Sequence, residues 1–262
     1  MKKRLLAVLA AAALVLGLMT VPVFADEAPT VYVTIANGSV VMNQQAVAVS
    51  DIDKDGALTI NDALYLAHEA SFEGGAAAGY GSAEGSYGLS LTKLWGVENG
   101  GSYGYYVNNT AAMGLADPVK GGDYIYAFVY TDTTGWSDAY SYFNANALTV
   151  NAGDEIPLVL SYVGYDADWN PVALPAEGAV ITINGAPTDV KTDAEGKAVI
   201  TISEAGSFVI SATSETQTLV PPVLNVTTTP ATGNPGVFVY GIVCVMALAG
   251  ILLLAFRSKR AL

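Results

Sequence analysis

Asp51-Ile-Asp-Lys-Asp-Gly-Ala-Leu-Thr-Ile-Asn-Asp62 is the stretch whose residue types and spacing suit chemistry best. Asp51, Asp53 and Asp55 alternate, Gly56 follows, and Asp62 closes the run at its twelfth position. Carboxylates at the first, third and fifth positions suit a hard cation that takes six to eight oxygens, and so point to calcium. Ala57 would offer its backbone carbonyl, and Thr59 would reach the ion directly or through water. Gly56 supplies a sharp turn with positive φ that a Cβ would oppose. Four aspartates this close repel one another unless a cation neutralises them. The competing reading is a solvated acidic turn that leads into a helix.

Position twelve is aspartate where the EF-hand has glutamate, and an aspartate there is what dockerin calcium loops carry. Residues 51–70, with a helix on the exit side alone, resemble one dockerin repeat. A second spacing of the same kind, Asp166, Asp168, Asn170 and Glu177, lacks the glycine and contains Pro171 and Pro175. It reads as a turn between strands. With one good loop, a complete cohesin-binding dockerin is not expected.

Around this loop, Val31–Ile35 alternates like a strand and Val47–Val49 makes another. A helix is predicted from Ile60 to Ser71. Thr59 serves as its N-cap and Asp62 stands three residues on, as in a capping box. Ile60, Ala63, Leu64, Ala67 and Ala70 share one face, so this helix packs on a sheet. Glu73–Ser86 is rich in Gly and Ala and reads as a loop. Leu89–Trp95, Tyr103–Asn108 and Asp123–Tyr130 are strand-like and dense in aromatics. Two strands, a helix and further strands predict an α+β β-grasp order.

Gly101–Asn109, with Tyr103, Tyr105 and Tyr106, and Asp117–Tyr130, with Gly122-Asp123 and Tyr126, resemble the bacterial relatives of the transcobalamin C-terminal domain. The resemblance covers residues 29–148 and implies a β-grasp-like fold with the loop 51–62 set into its strand-to-helix junction. It carries no ligand contact over to any residue here. Ten tyrosines lie between Tyr80 and Tyr142. With Trp136 they read either as an exposed platform for a small molecule or glycan, with Tyr103, Tyr105, Tyr106, Tyr126 and Trp136 its candidates, or as strand residues packed on the helix and one another.

Residues 149–227 read as an all-β sandwich. Ile156–Tyr162, Val180–Ile183, Ala198–Ile202, Phe208–Ala212 and Val223–Val226 are short strands at sandwich spacing. Thr192–Ala198 and Glu204–Ala212 resemble the paired turn and strand of bacterial immunoglobulin-like surface domains. Such modules usually act as stalks. Thr213–Thr228, rich in Thr and Pro, leads on to the C-terminal segment.

Both ends carry targeting patterns. Lys2-Lys3-Arg4, the apolar run Leu5–Leu18 and Val23-Phe24-Ala25 make residues 1–25 a secretory signal peptide cut after Ala25. Near the other end, residues 237–256 form an apolar run long enough to span a bilayer, and Arg257–Arg260 follows it. Before it stands Thr229-Pro230-Ala231-Thr232-Gly233, so that residues 228–262 resemble the sortase cell-wall sorting signal of Gram-positive bacteria. Thr229 stands where leucine is usual. The resemblance implies cleavage between Thr232 and Gly233 and attachment to peptidoglycan. The alternative is a plain membrane anchor, and both put residues 26–228 outside the cell.

All 24 acidic residues fall between Asp26 and Glu215 against five lysines, which leaves this portion with nineteen formal negative charges. Nucleic acid is repelled by such a surface. The one cysteine, Cys244, lies in the apolar span. The one histidine, His68, reads as a helix-surface residue rather than a base, and no exported cysteine, phosphate loop or zinc-type cluster accompanies it. The expectation is a protein that is not an enzyme: a calcium-stabilised, wall-anchored binder of a small molecule or glycan, or alternatively an adhesin or stalk module for a protein partner.

Overall fold

The computed structural model describes residues 28–230. The signal peptide with Ala25, the motif residues Ala231, Thr232 and Gly233, and the apolar span lie outside the described residues. From its start the chain forms β1 (Thr30–Asn37), β2 (Ser39–Ala48), α1 (Ile60–Ser71), α2 (Gly75–Gly79), β3 (Gly81–Gly85), β4 (Gly88–Lys93), β5 (Tyr103–Val107), β6 (Thr110–Ala111) and β7 (Tyr124–Val129). There follow β8 (Ala139–Phe143), β9 (Ala147–Asn151), β10 (Glu155–Tyr165), β11 (Pro171–Pro175), β12 (Val180–Ile183), β13 (Ala186–Lys191), β14 (Lys197–Thr201), β15 (Gly206–Thr213), β16 (Leu219–Val220) and β17 (Leu224–Thr229). The architecture is mostly β.

The first sheet has the order β2-β1-β7-β5-β6, with β1 and β7 parallel at its centre and the other pairs antiparallel. Alternation along these two strands divides their side chains cleanly. Val31, Val33 and Ile35 of β1, with Ile125, Ala127 and Val129 of β7, face α1 and meet its Ile60, Ala63, Leu64 and Ala67. Ala36, Tyr126 and Phe128 point the other way. Both faces of the sheet centre are thus buried, which is why β7 is apolar or aromatic throughout. Glu73–Ser86, expected to be a loop, contains α2 and β3, and β3 pairs with β4 as a hairpin. Gly79 packs on the Phe72 ring, where a Cβ would lie 2.5 Å away, so the small residues there serve close packing.

Two further sheets, β11-β10-β8-β16 with β14 also on β10, and β13-β12-β15-β17-β9, enclose a second core. Ile156, Leu158 and Leu160 enter it from β10, and Ile181, Ile210, Leu224 and Val226 from the facing sheet. The period of two in Glu155–Leu160 sends those three residues inward. Ala139–Phe143, counted with the first unit in the sequence reading, is hydrogen-bonded to β10 and β16 instead. Thr213–Thr228 is no simple lead to the C-terminal segment, because β16 and most of β17 lie within it.

A third cluster joins the first sheet to these two. Ala36, Tyr126 and Phe128 meet Tyr140, Val220 and Val223. Polar side chains close the junction: Asn43 Nδ2 donates to Asn225 Oδ1 at 2.8 Å, Asn225 Nδ2 to Gln44 Oε1 at 2.9 Å, and Gln44 Nε2 to the Asn146 carbonyl at 3.0 Å.

Candidate metal centre and aromatic surfaces

The acidic loop lies between β2 and α1. Carboxylate oxygens of Asp51, Asp53 and Asp55 all lie within 4.8 Å of one another. The backbone curls around them. Asp51 Oδ1 accepts the Lys54 N–H at 2.6 Å, and Asp51 Oδ2 accepts that of Gly56 at 3.0 Å. Asp55 Oδ1 accepts the Ala57 N–H at 2.8 Å. Lys54 and Gly56 take φ of 65° and 89°, so the turn uses the left-handed region where glycine is at ease. Each carboxylate oxygen has two lone pairs, and these bonds leave lone pairs over on all three residues. Three convergent, all-oxygen donors on a pre-curled loop fit a hard divalent cation.

Thr59 and Asp62 are engaged with each other. Asp62 is fully buried, and its Oδ2 accepts from both the Thr59 N–H and the Thr59 hydroxyl at 2.8 Å. Its Oδ1 accepts the Ile52 N–H at 2.9 Å, and its own N–H donates to Thr59 Oγ1 at 3.3 Å. This is a complete capping box at the start of α1. The other free N–H groups of that first turn are taken as well, Ile60 by the Asp117 carbonyl and Asn61 by the Leu115 carbonyl. Of the six sequence-predicted ligands, Asp51, Asp53 and Asp55 come together, Ala57 follows them, and Thr59 with Asp62 anchors the helix.

Asn61 was not singled out from the sequence. Buried beneath the loop, its Nδ2 donates to Asp53 Oδ2 at 3.1 Å, and its Oδ1 accepts the Tyr80 hydroxyl at 2.7 Å and the Ser82 hydroxyl at 3.0 Å. It ties the loop to the start of the β3–β4 hairpin. The available signal was an amide three residues before Leu64, on the apolar side of the helix. Burial raises the Tyr80 phenol well above its ordinary pKa, and the nearby Asp62 and Asp53 carboxylates add to this, so it is a fixed donor to Asn61.

His68, expected on the helix surface, is fully buried. Its Nδ1–H donates to the Leu64 carbonyl at 2.7 Å, and its Nε2 accepts the Trp95 N–H at 3.0 Å. The two bonds fix a neutral tautomer, and burial lowers its pKa. The ring packs among Phe72, Tyr80 and Trp95, an aromatic nest that accommodates imidazole as a core residue.

The candidate ligand tyrosines divide between the two faces of the first sheet. Tyr103 and Tyr105 lean on the helix-side core, and the Tyr103 hydroxyl donates to the Thr92 and Val97 carbonyls. Tyr106 and Tyr126 lie at the junction. Tyr126 is 7% exposed and its hydroxyl donates to the Pro221 carbonyl. The outward face expected to carry a platform is therefore covered by β8 and the segment 220–223. Trp136 is the exception, 63% exposed on the loop between β7 and β8. Asp166, read as a turn residue, accepts the Asp168 and Asn170 N–H groups at 2.9 Å in the turn between β10 and β11.

Thr229 is the last residue of β17, and its carbonyl accepts the Ala152 N–H at 2.7 Å. Its hydroxyl donates to Asn151 Oδ1 at 3.0 Å, and Pro230 follows. No protein-family model matches this chain, and no curated protein matches it.

Proposed function

We propose that residues 26–228 form a calcium-stabilised, non-enzymatic binding protein displayed on the surface of a Gram-positive bacterium and attached to peptidoglycan through Thr232. The observation that carries this reading is the meeting of the Asp51, Asp53 and Asp55 carboxylates within 4.8 Å at the foot of α1. A cation there offsets their mutual repulsion and fixes the loop that leads into the helix. Because Asn61 connects Asp53 to Tyr80 and Ser82, the effect reaches the β3–β4 hairpin.

The central parallel pair, with α1 on one face, supports a β-grasp-like first unit related to the transcobalamin C-terminal domain. Two facing sheets around one core support an immunoglobulin-like second unit. Burial of Tyr126 at the junction moves recognition away from the covered face of the first sheet to the aromatic residues that stay in solvent. Both nitrogens of His68 are committed to hydrogen bonds, which supports a role without acid–base chemistry. An adhesin or stalk is the second reading, favoured by the third core, which makes the two units one stiff body.

Melting the full chain in chelator and then in calcium tests the reading. A hundredfold excess of calcium over Kd is worth about 2.7 kcal/mol to a native state that alone binds it. An unchanged melting temperature, in protein freed of metal beforehand, overturns the calcium assignment. Wall digests that lack any peptide ending at Thr232 overturn the attachment.

A further inference from the structure

Two of the three tryptophans stand in solvent on backbones that bulky residues rarely adopt. Trp136 is 63% exposed with φ of 50°, and Trp169 is 81% exposed with φ of 63°. Such strain persists where the surroundings enforce it, and it concentrates at ligand clamps. Here the enforcement is of one kind, an aspartate-capped turn, with different spacing in each. Asp132 Oδ1 accepts the Thr134 and Gly135 N–H groups at 3.0 and 2.8 Å, and the Trp136 N–H returns to the Asp132 carbonyl. In the β10–β11 turn, Asp166 Oδ1 takes the Asp168 and Asn170 N–H groups, and the Trp169 N–H returns to the Asp166 carbonyl. One turn leads from β7 of the first sheet into β8 and the other joins β10 to β11, yet both tryptophans line one groove of about 590 Å³ beside the junction.

Tyr106, Tyr130, Tyr162 and Tyr165 also line it. The hydroxyls of Tyr80, Tyr103, Tyr126 and Tyr140 are spent on protein acceptors. Among the described residues, those of Tyr106, Tyr130 and Tyr165 have no such partner. Burial, and then the neighbouring phenols, push the Tyr106 and Tyr130 pKa up, so both stay protonated donors. The groove's one carboxylate, Asp138, is committed: Oδ1 accepts from the Thr131 N–H and hydroxyl, and Oδ2 from the Asp132 N–H. A cationic ligand finds no free carboxylate inside, and an anionic one meets the acidic surface. Flat ring faces with unspent hydroxyls suit a neutral ligand that has apolar faces and many hydroxyls of its own. A larger cleft, about 840 Å³, is lined by Ser39, Asn43, Ser211 and Thr213 but by no aromatic ring, so it lacks a stacking surface.

We infer that the groove binds a neutral oligosaccharide, with Trp136 and Trp169 stacked on sugar rings and the Tyr106, Tyr130 and Tyr165 hydroxyls bonded to sugar hydroxyls. This rests on the surface-binding reading above and gives it a site and a ligand class.

The test titrates the full chain, in calcium and a detergent without a sugar headgroup, with cellohexaose, chitohexaose, xylohexaose and mannohexaose. Hexagalacturonate and a neutral aromatic-rich peptide serve as comparisons, and tryptophan fluorescence and calorimetry are the readouts. At least one neutral hexasaccharide binds saturably and the acidic one does not. Trp136→Ala and Trp169→Ala each weaken binding tenfold or more with unchanged melting, and Tyr130→Phe weakens it severalfold. No saturable binding to any neutral hexasaccharide overturns the inference. So does binding indifferent to both tryptophan variants, or tighter binding of the peptide. If calcium still raises the melting temperature when saccharides fail, the groove assignment falls alone. If calcium has no effect either, the reading beneath it falls too.

Discussion

Tyr106 and Tyr140 lie face to face, ring centroids 3.7 Å apart and planes 10° from parallel, although β5 and β8 belong to different sheets. Tyr126 meets Tyr140 edge-on at 5.3 Å, and Phe128 stacks beyond. This aromatic layer is the joint between the two units. Truncating Tyr140 to alanine is expected to cost about 3–5 kcal/mol, as for other large buried rings. A double-mutant cycle of Tyr106→Ala and Tyr140→Ala should leave a coupling of about 0.5–1.5 kcal/mol, measured by denaturant unfolding. A coupling of zero would mean the two rings touch without supporting one another.

The loop aspartates separate by what each stabilises. Asp55→Asn should leave the metal-free protein nearly unchanged and reduce the gain in melting temperature from calcium. Asp62→Ala should instead weaken the metal-free protein by about 1–3 kcal/mol, since the Ile52 and Thr59 N–H groups lose their acceptor in a buried place. Scanning calorimetry of both variants, in chelator and in calcium, distinguishes ligand from cap.

Acid should weaken the fold through His68. Its folded pKa lies below the ordinary 6.5, so the unfolded chain takes the proton first. The stability carried by the neutral ring is complete above about pH 6.5, and it is lost as the pH falls from there through the folded pKa. In saturating calcium, His68→Gln should lower stability at neutral pH and flatten the slope below pH 6.5. An unaltered slope would assign the acid sensitivity to carboxylates.

The exposed tryptophans should trade stability against binding. Asparagine tolerates the left-handed backbone, so Trp136→Asn or Trp169→Asn relieves strain of the order of 1–3 kcal/mol at that residue. Each is expected to melt higher than the parent while binding saccharide more weakly. A variant that melts lower would show that the ring packs more than its exposure implies.

Much of the metal loop and its helix was legible because both are local. Asp51, Asp53 and Asp55 sit within five residues, and Thr59 with Asp62 marks the helix start. The junction was not legible. Alternation in Tyr124–Val129 tells which residues share a face, but not that β8, which starts ten residues after Val129, belongs to the sheet that covers it. His68 was misplaced for a related reason: the acceptor need of its Nε2 is met by Trp95, twenty-seven residues away. The left-handed backbones of Trp136 and Trp169 carry no propensity signal, since bulky residues disfavour that region and the Asp132 and Asp166 turns impose it.

The last strand has a mechanical meaning. β17 lies between antiparallel β15 and parallel β9, with Leu224, Val226 and Thr228 buried beneath it. Tension that arrives from residues beyond Thr229 runs along this strand, and the hydrogen bonds on both its edges lie across the pull. They are loaded together, in shear, instead of opening one after another from an end. A force applied there is shared by the rungs on both edges, so the body resists being drawn out from its C-terminal strand.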